Sequence, residues 1–168
     1  PVSRTVRGPD GQTAEVVDLV LVFERRDADV EAVVVGGGPA GHSAALVCGR
    51  SRRQTAFFDA GAPRNAPAHA AHNLYSRDGT SPADLNRAAA QQLAAYDTVE
   101  VYDRKVVAGE RLDSGLFALT DERGERITTR AVFLATGVVD ELPDVPGLRE
   151  AWGRGAFHCP YCHGYEVR

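Results

Sequence analysis

The sequence predicts an α/β fold in which parallel strands carry a dinucleotide-binding turn. Strand, helix and strand in this order are typical of a βαβ unit with parallel strands. Three observations support the prediction. A short apolar run at residues 32–35 enters the glycine-rich segment Gly36-Gly37-Gly38-Pro39-Ala40-Gly41, and an Ala-, Leu- and Val-rich helical stretch follows from residue 40 to about 50. A second predicted strand at residues 54–58 then ends in Asp59.

The glycine-rich segment has the G-x-G-x-x-G spacing of a dinucleotide-binding turn. We expect Gly36 to turn the chain off the strand, Gly38 to let a pyrophosphate approach the backbone, and Gly41 to let the helix pack closely. The helix N-terminus would offer N–H groups and its positive dipole end to the phosphates. Asp59 follows at close to the ~20-residue spacing of a carboxylate that binds a ribose hydroxyl. The alternative is an ordinary glycine-rich strand–helix turn.

Composition narrows the class of protein. The 168 residues are 43% hydrophobic and 25% charged, with a net charge of −4. These values are typical of globular proteins and argue weakly against nucleic acid as the main partner. We expect no membrane span and a cytoplasmic location, because no apolar run approaches ~20 residues and the first residues lack the apolar core of a signal peptide. The chain starts with Pro1 and contains no methionine, so we expect a fragment.

The middle of the chain predicts a loop, a helix and several strands. Residues 60–79 form a long loop, a class that is usually functional or disordered. Ser81 followed by Pro82 predicts the start of a helix that continues to about residue 95. Three short strands at residues 98–107, 115–120 and 125–129 would form an antiparallel meander inserted on the parallel sheet. We expect helices on both faces of that sheet.

Two further strands flank this region. Residues 131–135 predict another buried strand, and its small-residue end at Ala135, Thr136 and Gly137 would let a ligand cross the carboxyl edge of the sheet. Residues 15–23 predict a strand in a leader, residues 1–29, for which we have no functional account. Residues 143–168 begin as a linker with two prolines.

The last segment contains the pair Cys159-Pro160-Tyr161-Cys162-His163. We favour a redox pair, since C-x-x-C spacing lowers one thiol pKa and makes disulfide exchange fast. His158 and His163 would carry protons or stabilise a thiolate. Three alternatives remain: covalent haem attachment through C-x-x-C-H, a zinc site completed by His69 and His72, and two inert cysteines.

Together these motifs resemble a known family. GGGPAG, the acid after the second strand, the Arg64-Asn65 dipeptide, ATG at residues 135–137 and CPYCHGYE follow one another as in the thioredoxin reductase-like FAD-dependent pyridine nucleotide-disulfide oxidoreductases. The branch with C-P-x-C-H-G-x-E, which includes dithiol oxidases, is the most similar. The resemblance covers residues 30–168 and implies a Rossmann-like, FAD-binding three-layer α/β fold, with an FAD-binding domain at residues 30–142 and the start of an NAD(P)-binding domain at residues 143–168.

The resemblance also implies roles for individual residues. Asp59 would bind the adenosine ribose, and the backbone of Val106 would meet the adenine. Cys162 would face the flavin and form a charge-transfer thiolate, while Cys159 would attack the substrate disulfide. His163 would do acid–base work. The remaining residues would line the cofactor: the pyrophosphate would lie on Gly36, Gly37, Gly38, Pro39, Ala40 and Gly41, and the rest of the FAD along Arg64, Asn65, Ala135, Thr136 and Gly137.

The family connects a two-electron nicotinamide donor, FAD and a dithiol. In the reductase direction electrons would pass from NADPH to a disulfide, and in the oxidase direction from a substrate dithiol to oxygen. The substrate would be a small dithiol or disulfide or a redoxin protein, and the resemblance implies a homodimer. The family's second glycine motif and its later Gly-Asp segment do not occur in these residues. We therefore expect this chain to bind FAD poorly and not to complete the catalytic cycle alone.

Two other functions remain open at this stage. An NAD-dependent dehydrogenase would use the first glycine motif directly, and Asp59 would favour NAD over NADP by repelling a 2′-phosphate. That function leaves CPYCHGYE without a role. A non-catalytic dinucleotide-binding or zinc-binding module is the third hypothesis, which bound metal on the purified chain would distinguish.

Overall fold

The computed structural model describes residues 2–7, 13–18 and 27–168. It contains the helices α1 (Pro39–Arg50), α2 (Pro82–Leu93), α3 (Leu148–Ala151) and α4 (Pro160–His163). The strands are β1 (Val2–Arg7), β2 (Thr13–Asp18), β3 (Val30–Val35), β4 (Thr55–Phe58), β5 (Val99–Tyr102), β6 (Val106–Arg111), β7 (Phe117–Asp121) and β8 (Arg126–Leu134). Strands β5-β4-β3-β8-β7-β6 form one mixed sheet in that order, and the predicted α/β fold is confirmed.

Parallel pairing in the centre of this sheet determines where the site lies. Strand β3 pairs in parallel with both β4 and β8, and Val35 lies opposite Phe58 and Leu134. Because the carboxyl ends of parallel strands meet at one edge, the segments that follow these three strands emerge side by side. The glycine-rich turn, Asp59 and Ala135 are therefore neighbours.

The two faces of the sheet are covered differently. Helices α1 and α2 cover one face, where Val34 and Phe57 pack with Ala45 and Leu93. Alternate strand residues point to the other face, and there the buried cluster contains Leu119 of β7 together with Val33, Val35, Ala56 and Phe58. In residues 27–168 an antiparallel strand, not a helix, thus packs on the second face, and the expectation of helices on both faces is wrong there.

The predicted strand at residues 98–107 is wrong, because it is divided between two parts of the sheet. Strand β5 pairs in parallel with β4, whereas β6 pairs antiparallel with β7. Arg104 lies in the bend between them, and its guanidinium donates to Asp121 at 2.8 Å and also pairs with Glu125. Asp121 is 3% exposed, so this buried ion pair fixes the direction change that the apolar pattern did not show.

Residues 125–129 and 131–135, predicted as separate strands, form the single strand β8. Its first half pairs antiparallel with β7 and its second half parallel with β3. The change occurs at Thr129, which is fully buried and lies opposite Phe117 on one side and Val30 on the other. The predicted antiparallel meander exists. It is hydrogen-bonded to the parallel strands through β8, and Leu119 of β7 packs against the second face of those strands.

The leader contains two paired strands in its described part. Strands β1 and β2 pair antiparallel, with Val2 opposite Asp18. Strand β2 covers the beginning of the strand predicted at residues 15–23, and residues 19–23 lie outside the described residues; β1 was not predicted. Across the described residues, no helix is both long and apolar enough to cross a membrane.

Replacing Phe57 with leucine tests the core between the sheet and its helices. Phe57 is 1% exposed, so we expect Phe57→Leu to lower the free energy of unfolding by about 1–3 kcal/mol through lost packing. Urea unfolding followed by circular dichroism measures the change. Val47→Ala on the outer face of α1, where Val47 is 66% exposed, should stay within about 0.5 kcal/mol. Equal losses in the two variants would contradict this description of the core.

Candidate functional site

A cavity of about 640 Å³ lies at the carboxyl edge of the parallel strands. It is bordered by the glycine-rich turn, by the segments after β4 and β8, by His158, and by the last two residues of α4. The predicted site residues among its lining are Gly36, Gly37, Gly38, Pro39, Ala40, Asp59, Arg64, Asn65, Ala135, Thr136, Gly137, Cys162 and His163. The structure thus brings motifs from four separate parts of the chain to one cavity.

The glycine-rich turn packs so tightly that side chains would not fit. Gly36 has φ +114°, and a Cβ on it would lie 2.3 Å from the carbonyl oxygen of Ala135. A Cβ on Gly41 would lie 1.7 Å from the carbonyl oxygen of Gly36, and one on Gly37 would lie 1.9 Å from Cγ of Asp59. Since glycine alone tolerates such approaches and the positive φ, α1 begins directly against the end of β8 and the Asp59 carboxylate.

The first turn of α1 is open to the cavity. Gly38 is the N-cap residue, Pro39 follows it, and neither a capping side chain nor an acidic residue occupies the first turn. A Cβ on Gly38 would meet nothing within 4 Å. Backbone N–H groups in a first turn have no intrahelical partner, and the helix dipole adds partial positive charge there. This wall of the cavity therefore suits an anionic group such as a phosphate.

Asp59 is held in place at the end of β4. Its N–H donates to the carbonyl oxygen of Tyr102 at 2.9 Å, and its Oδ1 accepts from the N–H of Gly61 at 2.8 Å. The other carboxylate oxygen has no hydrogen bond from the protein among the described contacts, and Asp59 lines the cavity. A hydroxyl group in the cavity could donate to it.

Arg64 and Asp140 join the loop after β4 to the segment after β8. Nε of Arg64 donates to Oδ2 of Asp140 at 2.9 Å, and Nη2 donates to Oδ1 at 2.5 Å. The hydrogen bonds from Arg64 lower the pKa of Asp140 from its ordinary value, and the same bonds raise the pKa of Arg64. Arg64 lines the cavity, so this bidentate pair fixes a lining side chain to the segment after β8.

The cysteine turn, residues 159–163, forms another side. Cys159 and Cys162 are joined by a disulfide with their Cα atoms 5.4 Å apart. The N–H of Gly164 donates to the carbonyl oxygen of Pro160 at 2.8 Å and closes the turn. Cys162 lines the cavity, whereas Cys159 is not among the lining residues. The two sulfur atoms are therefore inequivalent with respect to the cavity.

His163 brings two polar atoms to the same place. Both ring nitrogens are buried and have no hydrogen-bond partner among the described residues. The ring stacks on Phe157 at 4.6 Å between centroids and is perpendicular to the ring of His72 at 6.5 Å. Buried nitrogens are almost always paired, so this ring has donor and acceptor capacity for a group in the cavity. His158 also lines the cavity.

Three predicted site residues do not line the cavity: Gly41, Val106 and Cys159. Val106 is half-buried against the core cluster that contains Leu119 and does not line the cavity; its contact with adenine stays a prediction. The zinc alternative finds no support in the described part of the chain, where no group of three or more His, Cys, Asp or Glu side chains could hold a metal ion. The sulfur atoms of Cys159 and Cys162 are bonded to each other.

Sequence reasoning missed the roles of two residues at or beside the cavity. His72 lines the cavity but was considered only as a metal ligand. Asp140 was not a candidate; it lies outside the lining and acts on it through its pair with Arg64. Arg64 and Asp140 are 76 positions apart, and no local pattern connects them. The one signal for Asp140 in the sequence was its position as a carboxylate shortly after the small residues that end the predicted strand at residues 131–135.

Comparison with known proteins gives a consistent result. The pyridine nucleotide-disulphide oxidoreductase family model matches residues 30–167. The chain is 40% identical to thioredoxin reductase tcpT of Claviceps purpurea, over 83% of this chain and 44% of that protein. It is 42% identical to thioredoxin reductase sirT of Leptosphaeria maculans, over 82% of this chain and 43% of that protein. The chain thus spans under half the length of these relatives.

A solved structure agrees with these sequence matches. The crystal structure of the oxidoreductase from Agrobacterium tumefaciens is 40% identical to this chain. The two structures superimpose with a TM-score of 0.78, and the matched region covers 82% of this chain and 46% of the solved chain. The shared region therefore corresponds to less than half of the solved protein.

Substituting Gly36 tests the contact between the turn and β8. Gly36→Ala should lower the free energy of unfolding by about 1–3 kcal/mol from backbone strain alone, because alanine is strained at the φ of residue 36. The new Cβ would also lie 2.3 Å from the carbonyl oxygen of Ala135. Urea unfolding measures this. Gly38→Ser is the matched control: serine is a favoured N-cap residue and has free space there, so its stability should not fall. A fully stable Gly36→Ala variant would contradict the geometry.

The ion pair between Arg64 and Asp140 predicts a pKa that NMR can measure. Carboxyl ¹³C titration should place the pKa of Asp140 below its ordinary value, and Arg64→Gln should raise it, because the hydrogen bonds to the charged form are lost. Arg87→Gln is the control: it should raise the pKa of Asp84, which hydrogen bonds from Ser81 and Arg87 lower, and leave Asp140 unchanged. An Asp140 pKa insensitive to Arg64→Gln would show that the pair does not form in solution.

Proposed function

The chain belongs to the pyridine nucleotide-disulphide oxidoreductase family, and we propose that it is an FAD-dependent thiol–disulfide oxidoreductase of the thioredoxin reductase-like type. It would move two electrons between FAD and a dithiol or disulfide substrate through Cys159 and Cys162. The observation that carries the proposal is that Cys162 and the glycine-rich turn line one cavity. An NAD-dependent dehydrogenase would give no role to Cys162 at that position.

The cavity fits the proposed cofactor in chemistry and size. Its volume of about 640 Å³ lies within the range of about 300–1,000 Å³ common for ligand and cofactor sites. The open first turn of α1 would hold the pyrophosphate on Gly38, Pro39 and Ala40, and Asp59 would accept a hydrogen bond from a ribose hydroxyl. When bound, FAD would supply the two-electron acceptor or donor that amino-acid side chains lack.

The remaining lining residues would hold the rest of the cofactor. Asn65 and Arg64 lie beyond Asp59 along the loop after β4, and the small residues Thr136 and Gly137 follow β8. Both groups border the space between the α1 N-terminus and the cysteine turn. A long ligand could therefore contact the glycine-rich turn at one end and Cys162 at the other.

The disulfide supplies the exchange chemistry. A substrate thiolate attacks the sulfur of Cys159, the Cys159–Cys162 bond breaks, and its electron pair leaves on the sulfur of Cys162. A second substrate thiolate then attacks the substrate sulfur of the mixed disulfide and releases Cys159 as a thiolate. The substrate is oxidised to a disulfide and the cysteine pair is reduced by two electrons. His163, with its unpaired buried nitrogens, would exchange a proton with the Cys162 thiolate.

The relatives narrow the class of substrate without identifying one. Those reported above are named thioredoxin reductases, which favours a redoxin protein or a small dithiol. NADPH would be the nicotinamide cofactor of the whole protein. Since the chain covers under half of those relatives, the activity, substrate and partners of a whole protein are part of this proposal.

Titration with FAD and then with a dithiol tests the function. We expect saturable quenching of FAD fluorescence by the purified chain, weakened on the order of tenfold, or about 1.4 kcal/mol, in Gly38→Ser. The serine side chain would enter the cavity and cap the N–H groups that the phosphates need. Dithiothreitol added to the complex should then bleach the visible absorbance of the oxidised flavin.

Cysteine variants provide the controls. Cys159→Ser and Cys162→Ser should each bind FAD with unchanged affinity but abolish rapid bleaching by dithiothreitol, because both sulfurs are needed for exchange. Cys48→Ser, which removes the buried free cysteine of α1, should bleach like the unchanged chain. Rapid bleaching in all three variants would show that the pair is not the route, and absence of FAD binding at saturating concentration would refute the flavin site.

A further inference from the structure

A short segment of the long loop contacts the cysteine turn at two points. We name residues 72–78 the clamp loop. Nδ2 of Asn73 donates to the carbonyl oxygen of Tyr161, inside the turn, at 2.8 Å. Nε2 of His72 lies 3.5 Å from Oε1 of Glu166, just after the turn. The clamp loop therefore spans the turn from its middle to its C-terminal side.

The clamp loop is itself internally braced. The N–H of Asn73 donates to Oδ1 of Asp78 at 2.8 Å. Just outside the loop, the N–H of Ala71 donates to the carbonyl oxygen of Thr80 at 2.9 Å and joins its two ends. Asn73 has φ +63°, a conformation that asparagine tolerates better than most residues. The loop can thus act as a fixed support for the turn and not only as a covering.

His72 has a carboxylate beside each ring nitrogen. Nδ1 lies 3.6 Å from Oδ1 of Asp78, and Nε2 lies 3.5 Å from Oε1 of Glu166. The third titratable neighbour is His163, whose ring is perpendicular at 6.5 Å. A protonated imidazole has an N–H on both nitrogens, whereas the neutral ring has only one. Attraction to both carboxylates at once therefore requires the charged ring.

We propose that His72 is a positioning residue that holds the cysteine turn at the cavity through an ion pair with Glu166 that forms when its ring is protonated. Asn73 supplies the contact that does not depend on pH. The turn would be held more firmly at low pH, where imidazoles in general are charged, than at high pH, where they are neutral. The reactive role of the turn rests on the proposed function, whereas the attachment itself does not.

The expected effect is modest because the pair is partly exposed. The side chains of His72 and Glu166 are 20% and 41% exposed. Exposed ion pairs contribute up to about 1 kcal/mol, which corresponds to a change of up to about fivefold in an equilibrium. The pair would therefore change how often the turn opens without deciding whether the chain folds.

Amide exchange with water, measured by NMR on the oxidised chain without flavin, tests the proposal. The probes are the N–H groups of Cys162 and Gly164, whose backbone hydrogen bonds close the turn. After correction for intrinsic exchange, protection should be about twofold to fivefold greater near pH 5.5 than near pH 8.5. His72→Gln and Glu166→Gln should each remove this pH dependence.

Three comparisons make the test specific. His69→Gln, an exposed histidine three positions from His72 and outside the cavity lining, should retain the pH step. The double variant His72→Gln/Glu166→Gln should be no less protected than either single variant, because the two residues act through one contact. A step that persists in Glu166→Gln would mean that His72 acts through space and not through the pair, and would overturn the proposal.

Two other results would also overturn it: a step that persists in His72→Gln, or protection that is independent of pH in the unchanged chain. Neither result would change what the FAD titration and the bleaching experiment say about the proposed function. Conversely, a chain that shows the step but binds no FAD would retain the clamp and lose the proposed function. The two proposals can therefore fail separately.

Discussion

The parallel register of β3 against β4 and β8 is the constraint on which the rest of the structure depends. It places the ends of three strands at one edge of the sheet, with Val35 between Phe58 and Leu134. Gly36 then approaches the Ala135 carbonyl too closely for any side chain. Because a shift by one residue would also turn each core side chain to the other face, the packing of the core and the geometry of the cavity are fixed together.

Side chains from distant parts of the chain complete what the strands begin. The pair formed by Arg64 and Asp140 connects the segments after β4 and β8, and the hydrogen bond from Asn73 to Tyr161 connects the long loop to the cysteine turn. Both contacts are made by polar groups. They join segments that border the cavity, which Cys162 and the first turn of α1 line together. Family membership gives that arrangement its proposed chemical meaning.

The sequence predicted the local parts of this arrangement well. The glycine-rich turn, Ser81 as a helix cap and the apolar strands β3 and β4 each have signals within a few residues. The division of residues 98–107 and the continuity of β8 were not predicted, because the first depends on Arg104 reaching a buried Asp121 and the second on a change of partner at Thr129. Such long-range pairings leave no periodicity, and the same holds for Arg64 with Asp140.

Strand β8 has a consequence for the order of folding. Its first half pairs with β7 across a short turn, a contact with little loop-closure entropy, whereas its second half must find β3 near the far end of the family-matched segment. The local hairpin can therefore assemble early and present a prealigned strand. Contact order would then place the docking of β3 on β8 later. The wall of the cavity at Ala135 is complete only after that docking, even though the glycine motif it faces comes first in the chain.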